Sequence, residues 1–206
     1  MRKGGYDGKG VQSLRSTEDI SKAFSDPSVL EKAVDLEKEL SVIVARNAAG
    51  EVKTFPTVEL EFNPIANLVE FLFSPANVTD AVEKTSQEIA KTIAEKLEIV
   101  GLLAVELFLD KEGNVLVNEI APRPHNSGHQ SIEGNYTSQF MQHIRAILGI
   151  SLGNTEIMKP SVMVNLLGED GFTGEAQYEG LEDVLALKGV NVHLYGKRLT
   201  KPFRKM

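Results

Sequence analysis

Two alternating apolar runs, LLAVELFLD and VLVNEI, flank the turn-forming stretch Lys111-Glu112-Gly113-Asn114, and an antiparallel hairpin accommodates both. With those four residues as the turn, Asp110 pairs with Val115 and the register sets Glu106 directly opposite Glu119 on one face. Like charges facing each other across a strand pair destabilise it, so such a pair raises a carboxyl pKa, slips its register or recruits a cation. Mg²⁺ is held by one or two carboxylates and completes its shell with water and phosphate oxygens, which points to a Mg-nucleotide site at Glu106 and Glu119. A turn of another length would put the two acids on opposite faces.

The segments around this hairpin alternate between helix and strand. VTDAVEKTSQEIAKTIAEKLEIVG is the clearest helix, with Val82, Ile89, Ile93 and Leu97 on one stripe, Thr79 as N-cap and Gly101 beyond its end. KELSVIVARNAAGEVKTFPTVEL reads as a hairpin turning near Gly50, SVLEKAV as a strand, and residues 16–24 as a short helix capped by Ser16. In YTSQFMQHIRAILG, Tyr136, Phe140, Ile144 and Leu148 recur every fourth residue and Gly149 stops the helix. Short strands, SVMVNLLG and VNVHLYGK, then surround a small acidic helix near residues 181–187. A boundary near Gly149 divides a domain of residues 1–149 from a smaller one of 150–206, and the mixture of helices with hairpin-linked strands gives an α+β fold class.

Composition narrows the function. At 206 residues and 42% hydrophobic content the chain can bury a core, and its lack of cysteine excludes disulfide and thiolate-metal chemistry. A net charge of -7 argues against a general nucleic-acid binder, yet GKRLTKPFRK near the C-terminus is strongly basic, as a local anion site would be. No apolar run approaches the length of a membrane span, so a soluble protein is expected.

Two loops carry the remaining signal. In NEIAPRPHNSGH, Pro122 and Pro124 stiffen a loop that can aim Arg123 at a planar anion and His125 at a transferable proton. In GGYDGKG, glycines crowd around Tyr6, Asp7 and Lys9, an arrangement suited to a backbone with positive φ or in close contact with a ligand.

In chain order, GGYDGKG, EKAVDLEKELSV, GLLAVELF, VNEIAPRPHNSGH and YGKRLTKPFRKM resemble the 5-(carboxyamino)imidazole ribonucleotide synthetase family of purine biosynthesis, and the resemblance runs essentially from end to end. It implies an ATP-grasp fold, here the C-terminal half of the grasp unit followed by a small β-rich C-terminal domain. It implies an activity in which ATP with Mg²⁺ activates bicarbonate as carboxyphosphate, which carboxylates the exocyclic amine of aminoimidazole ribonucleotide. By the same resemblance, Gly5, Gly8 and Gly10 close over the ATP phosphates. Glu31, Lys32, Ala33 and Val34 read the adenine edge, and Glu39 holds the ribose hydroxyls. Glu106 and Glu119 hold Mg²⁺. Tyr6, Arg123, His125 and Lys205 form the bicarbonate pocket, while Lys9, Lys197 and Arg204 clamp the ribonucleotide phosphate. A cytoplasmic homodimer acting on small molecules, without nucleic-acid or membrane partners, is implied as well.

Ala121 departs from the pattern of many ATP-grasp enzymes, which carry a third ligand, Asn, at that position. The family's α/β domain and the first half of its grasp unit lie upstream of the glycine loop, so the sequence resembles a fragment cut at both ends, and catalysis by the isolated chain is not expected. A formate-dependent glycinamide ribonucleotide transformylase shares the Arg-Pro-His loop, but has Asp-Thr-Gly where this chain has Asn126-Ser127-Gly128. The third reading is a nucleotide-binding module without turnover.

Overall fold

A computed structural model describes residues 10–63 and 68–206. The chain divides into two compact units, the first ending at Met163 and the second running from Val164 to Met206.

The first unit is organised by β1 (Leu36–Arg46), whose residues from Leu40 to Ala45 are all buried. A continuous buried run of this kind belongs to a central strand covered on both faces. Around it lie β2 (Val52–Thr54), β3 (Val58–Asn63), β4 (Leu68–Ser74), β5 (Gly101–Asp110), β6 (Val115–Ala121) and β7 (Ser161–Val164). The sheet has seven strands in the order β6-β5-β1-β3-β4-β7, with β2 paired to β1. The expected hairpin around Gly50 forms, and Gly50 takes the left-handed backbone (φ 86°) that the turn demands. The β3–β4 hairpin is an addition to the sequence reading.

One face of the sheet is covered by α1 (Asp80–Lys96), capped by Thr79, whose hydroxyl accepts from Val82 N–H. Ala90 and Ala94, small enough to let the helix axis approach the sheet, lie fully buried against Leu40, Val42, Val44, Leu103, Val105, Leu107 and Leu109, and Val82, Ile89 and Ile93 flank them. Truncating a fully buried residue such as Leu103 to alanine would cost about 2–5 kcal/mol. Leu97 falls outside this face: the helix ends at it, and it is exposed. The opposite face is covered only in part, by α3 (Gln139–Ile147) and Leu152 over Ile43, Ala45, Phe55, Leu102 and Ala104.

Several expectations require correction. SVLEKAV takes no strand conformation, and Val29 and Leu30 are exposed; β-branched composition becomes a strand only where packing favours it. Residues Thr17–Lys22 form a 3₁₀ turn rather than an α-helix, and Ser16 makes no side-chain cap. VNVHLYGK is irregular apart from its approach to β9 (Leu199–Thr200). The second helix starts at Gln139, not Tyr136, because Ser138 caps it through Met141 N–H; α2 (Ser131–Gly134) precedes it.

In the second unit, β9 pairs with β8 (Gly174–Glu175), and α4 (Leu181–Leu185) is the expected acidic helix. The basic end is folded: Gly168 N–H donates to Arg204 O (2.8 Å), Met206 N–H to Leu166 O (2.8 Å), and Lys205 bridges Leu167. The division at Met163 lies downstream of the boundary expected near Gly149, because the intervening segment returns to the first unit. Leu152 is buried there, Thr155 Oγ1 donates to Thr54 O (2.7 Å), and Tyr136 N–H donates to Glu156 O (3.1 Å). No helix among the described residues is long and apolar enough to cross a membrane.

A candidate active site across three strands

Along the partly covered face, successive cross-strand rows change from apolar to polar. Ile43 pairs with Ala104 and Ala104 with Ala121; in the next row of that face Ser41 pairs with Glu106 and Glu106 with Glu119. The expected facing of the two glutamates therefore holds, reached by a different route. Asp110 Oδ1 accepts from the N–H groups of Glu112 (3.0 Å) and Asn114 (2.8 Å), which lengthens the turn so that pairing starts at Leu109 with Val115. A bulge at Asn118 then lies between the pairs Leu107 with Val117 and Glu106 with Glu119. The two one-residue departures cancel at Glu119.

The proline-stiffened loop brings His125 onto this row. His125 Nε2 lies 3.4 Å from Glu106 Oε1, and both side chains are largely buried. On the other side of the ring, Ser127 N–H points at Nδ1 (3.4 Å), which makes Nδ1 the acceptor and leaves the proton on Nε2, facing the carboxylate. The Ser127 hydroxyl reaches Nδ1 as well (2.9 Å) and is 2.8 Å from Ser41 Oγ, whose strand neighbour is Glu106. Ser41, Ser127, His125 and Glu106 thus form one connected set.

The other expected residues distribute as follows. Glu39 lies on the same face of β1, two residues from Ser41, and burial pushes its carboxyl pKa up. Glu119 and Arg123 are exposed, and the Arg123 guanidinium donates to Pro124 O (3.2 Å). Glu31, Lys32, Ala33 and Val34 lie outside regular secondary structure. Gly10 is half-buried with φ 83°, the left-handed conformation for which glycine is suited. Gly5, Tyr6, Gly8 and Lys9 lie outside the described residues. In the second unit the Lys197 ammonium sits 4.8 Å from the Tyr195 ring centre and donates to Lys205 O. Burial, and then the nearby positive charge of Arg204, hold Lys197 below the usual lysine pKa. Lys197, Arg204 and Lys205 are brought together within that unit.

Sequence reasoning passed over Ser41, Ser127 and Gln139. A signal for the first was available: Ser41 interrupts the apolar run LSVIVA at a position whose neighbours on the same face, Ile43 and Ala45, are core.

The donor set suits a hard divalent cation. Glu106 and Glu119 could hold Mg²⁺ with water and phosphate oxygens completing its shell, and no third carboxylate or histidine forms a ligand cluster with them among the described residues.

Two protein-family models match the chain. The ATP-grasp domain model matches residues 1–140. The chain belongs to the ATP-grasp family. Within that family, residues 161–206 match the phosphoribosylaminoimidazole carboxylase C-terminal domain, leaving the segment that docks on the first unit between the two matches. The chain is 42% identical over 209 residues to the N5-carboxyaminoimidazole ribonucleotide synthase of Bacillus subtilis, covering 99% of this chain and 53% of the relative. It superposes with a TM-score of 0.88 on the crystal structure of N5-carboxyaminoimidazole ribonucleotide synthetase from Thermotoga maritima, at 47% identity, covering 96% of this chain and 53% of that one. A second crystal structure, the Aspergillus clavatus N5-carboxyaminoimidazole synthase in complex with ADP and 5-aminoimidazole ribonucleotide, matches with a TM-score of 0.76 at 37% identity, covering 85% of this chain and 46% of that one. The chain spans about half the length of these relatives. The α+β, ATP-grasp expectation is met.

Proposed function

We propose that this chain supplies the metal-binding and carboxylate-handling surface of an ATP-dependent carboxylase acting on aminoimidazole ribonucleotide in purine biosynthesis. The observation that carries this reading is the Ser41–Glu106–Glu119 row with His125 engaged on Glu106. In the proposed reaction a bicarbonate oxygen attacks the γ-phosphorus of ATP, giving carboxyphosphate and ADP. The exocyclic amine of the ribonucleotide then attacks the carboxyl carbon, the carbon–oxygen bond to phosphate breaks, and the amine loses a proton. Glu106 and Glu119 would hold Mg²⁺, whose contribution is to neutralise charge on the phosphate oxygens. Glu39 would accept from the ribose hydroxyls, and Arg123 and His125 would hold the carboxylating species. Lys9, Lys197 and Arg204 would bind the ribonucleotide phosphate. Gly5, Gly8, Gly10 and residues 31–34 would cover the nucleotide.

The acidic net charge of -7 supports a small-molecule rather than a nucleic-acid ligand, and the reading includes a cytoplasmic homodimer. The test is a chimera in which residues 1–206 replace the matching stretch of the Bacillus subtilis synthase. ADP release that requires both bicarbonate and aminoimidazole ribonucleotide supports the proposal. A folded chimera that releases ADP only with formate and glycinamide ribonucleotide, or not at all, overturns it.

A further inference from the structure

We infer that Gln139 is the positioning residue of the His125 loop, an inference that rests on the proposed role of His125. The buried side of α3 is polar: Gln139 and Gln142, one turn apart, are both completely buried. A buried amide is costly unless its donors and acceptor are all paired. Gln139 Oε1 accepts from His125 N–H (2.9 Å) and Gln139 Nε2 donates to His125 O (2.7 Å), so a single side chain grips both main-chain groups of one residue, as a neighbouring strand would. These two contacts agree on the orientation of the amide. The second Nε2 hydrogen is then directed to His129 Nδ1 (2.7 Å), which must accept it, leaving the His129 proton on Nε2.

The loop is shaped to receive this amide. A Cβ on Gly128 would stand 2.5 Å from Gln139 Oε1, so only glycine leaves room. Ser131 Oγ accepts from Gln139 N–H (2.8 Å) and donates to Gly128 O, tying the helix start to the same loop. The His129 ring stacks on Phe140, the next residue of α3 (centroids 5.5 Å apart). The ring of His125 can face Glu106 because its backbone is clamped from behind. Gln142 makes the same two-point grip on Gly153, through Gly153 N–H (2.8 Å) and Gly153 O (3.1 Å), away from the site. It is therefore a matched control.

The experiment is imidazole ¹⁵N NMR and amide hydrogen exchange on the 206-residue chain at alkaline pH. Wild-type His129 should carry its proton on Nε2. Gln139→Met should redistribute that tautomer and speed exchange of the His125 amide about tenfold, the loss of one buried hydrogen bond, while Gln142→Met leaves both unchanged. Gly128→Ala, which pushes on the amide from the other side, should reproduce the Gln139→Met result. A wild-type His129 protonated on Nδ1, or a Gln139→Met chain with tautomer and exchange unchanged, overturns the inference. If Gln139→Met does not fold, the wild-type tautomer and Gly128→Ala decide it. In the chimera, Gln139→Met should raise the ATP consumed per product and Gln142→Met should not; equal coupling in both contradicts the positioning role. Failure of the carboxylation reading would appear separately, as an unmutated chimera without bicarbonate-dependent turnover, and would leave the NMR result standing.

Discussion

His125 Nε2 faces Glu106 Oε1 at 3.4 Å, so the loop histidine and the first carboxylate of the Glu106–Glu119 pair act as one structural unit. Replacing His125 by alanine should therefore disturb the handling of the carboxylating species more than nucleotide binding. In the chimera, His125→Ala should lower product formed per ATP hydrolysed by about tenfold or more while the Kd for ADP changes by about twofold or less. Product yield equal to the unmutated protein would remove His125 from the account.

Glu39 gives a prediction with a definite sign. Burial raises its pKa above the ordinary 4.5, so the folded state holds the proton more tightly than the unfolded state, and stability contributed by the protonated form is lost as pH rises through the folded value. Glu39→Gln removes this cost. The variant should melt at a higher temperature than wild type near neutral pH, and the difference should shrink as pH falls through the raised folded value and level off below about 4.5, where both chains are neutral at this position. A constant difference in Tm across that range would show that burial of the charge is not its cause. The same variant should weaken nucleotide binding if Glu39 holds the ribose.

The site was more legible in the sequence than the surfaces around it. The pairing of Glu106 with Glu119 follows from the alternation of two apolar runs, although the longer turn and the bulge at Asn118 had to cancel for it to hold; neither leaves a strong trace in the residue pattern. The Tyr136, Phe140, Ile144 and Leu148 stripe identified a helix but not its orientation. These residues are 63%, 41%, 48% and 65% exposed, while the glutamines of the same helix are completely buried. Periodicity assigns an apolar stripe to the core by default, and here hydrogen bonding to the loop and to Gly153 outweighs it. Gln139 was passed over for that reason.

The basic stretch at the end of the second unit predicts its own pH dependence. Lys197 and Arg204 lie close enough for Arg204 to add to the depression of the Lys197 pKa. Arg204→Ala should raise the Lys197 pKa toward the ordinary 10.5 and, in the chimera, raise the KM for aminoimidazole ribonucleotide about tenfold while sparing ADP affinity. In the unmutated protein, ribonucleotide affinity should fall as pH rises through the lowered Lys197 pKa. A KM unaffected by Arg204→Ala would place the phosphate elsewhere.

The central claim, that the Glu106–Glu119 pair is a metal-nucleotide site, is tested most directly by electron paramagnetic resonance titration of Mn²⁺ against the chimera with ADP present. Wild type should bind Mn²⁺ in an ADP-dependent manner, and Glu119→Gln should weaken that binding by about tenfold or more with the circular dichroism spectrum unchanged. ADP-dependent Mn²⁺ binding of equal strength in wild type and Glu119→Gln would contradict the account.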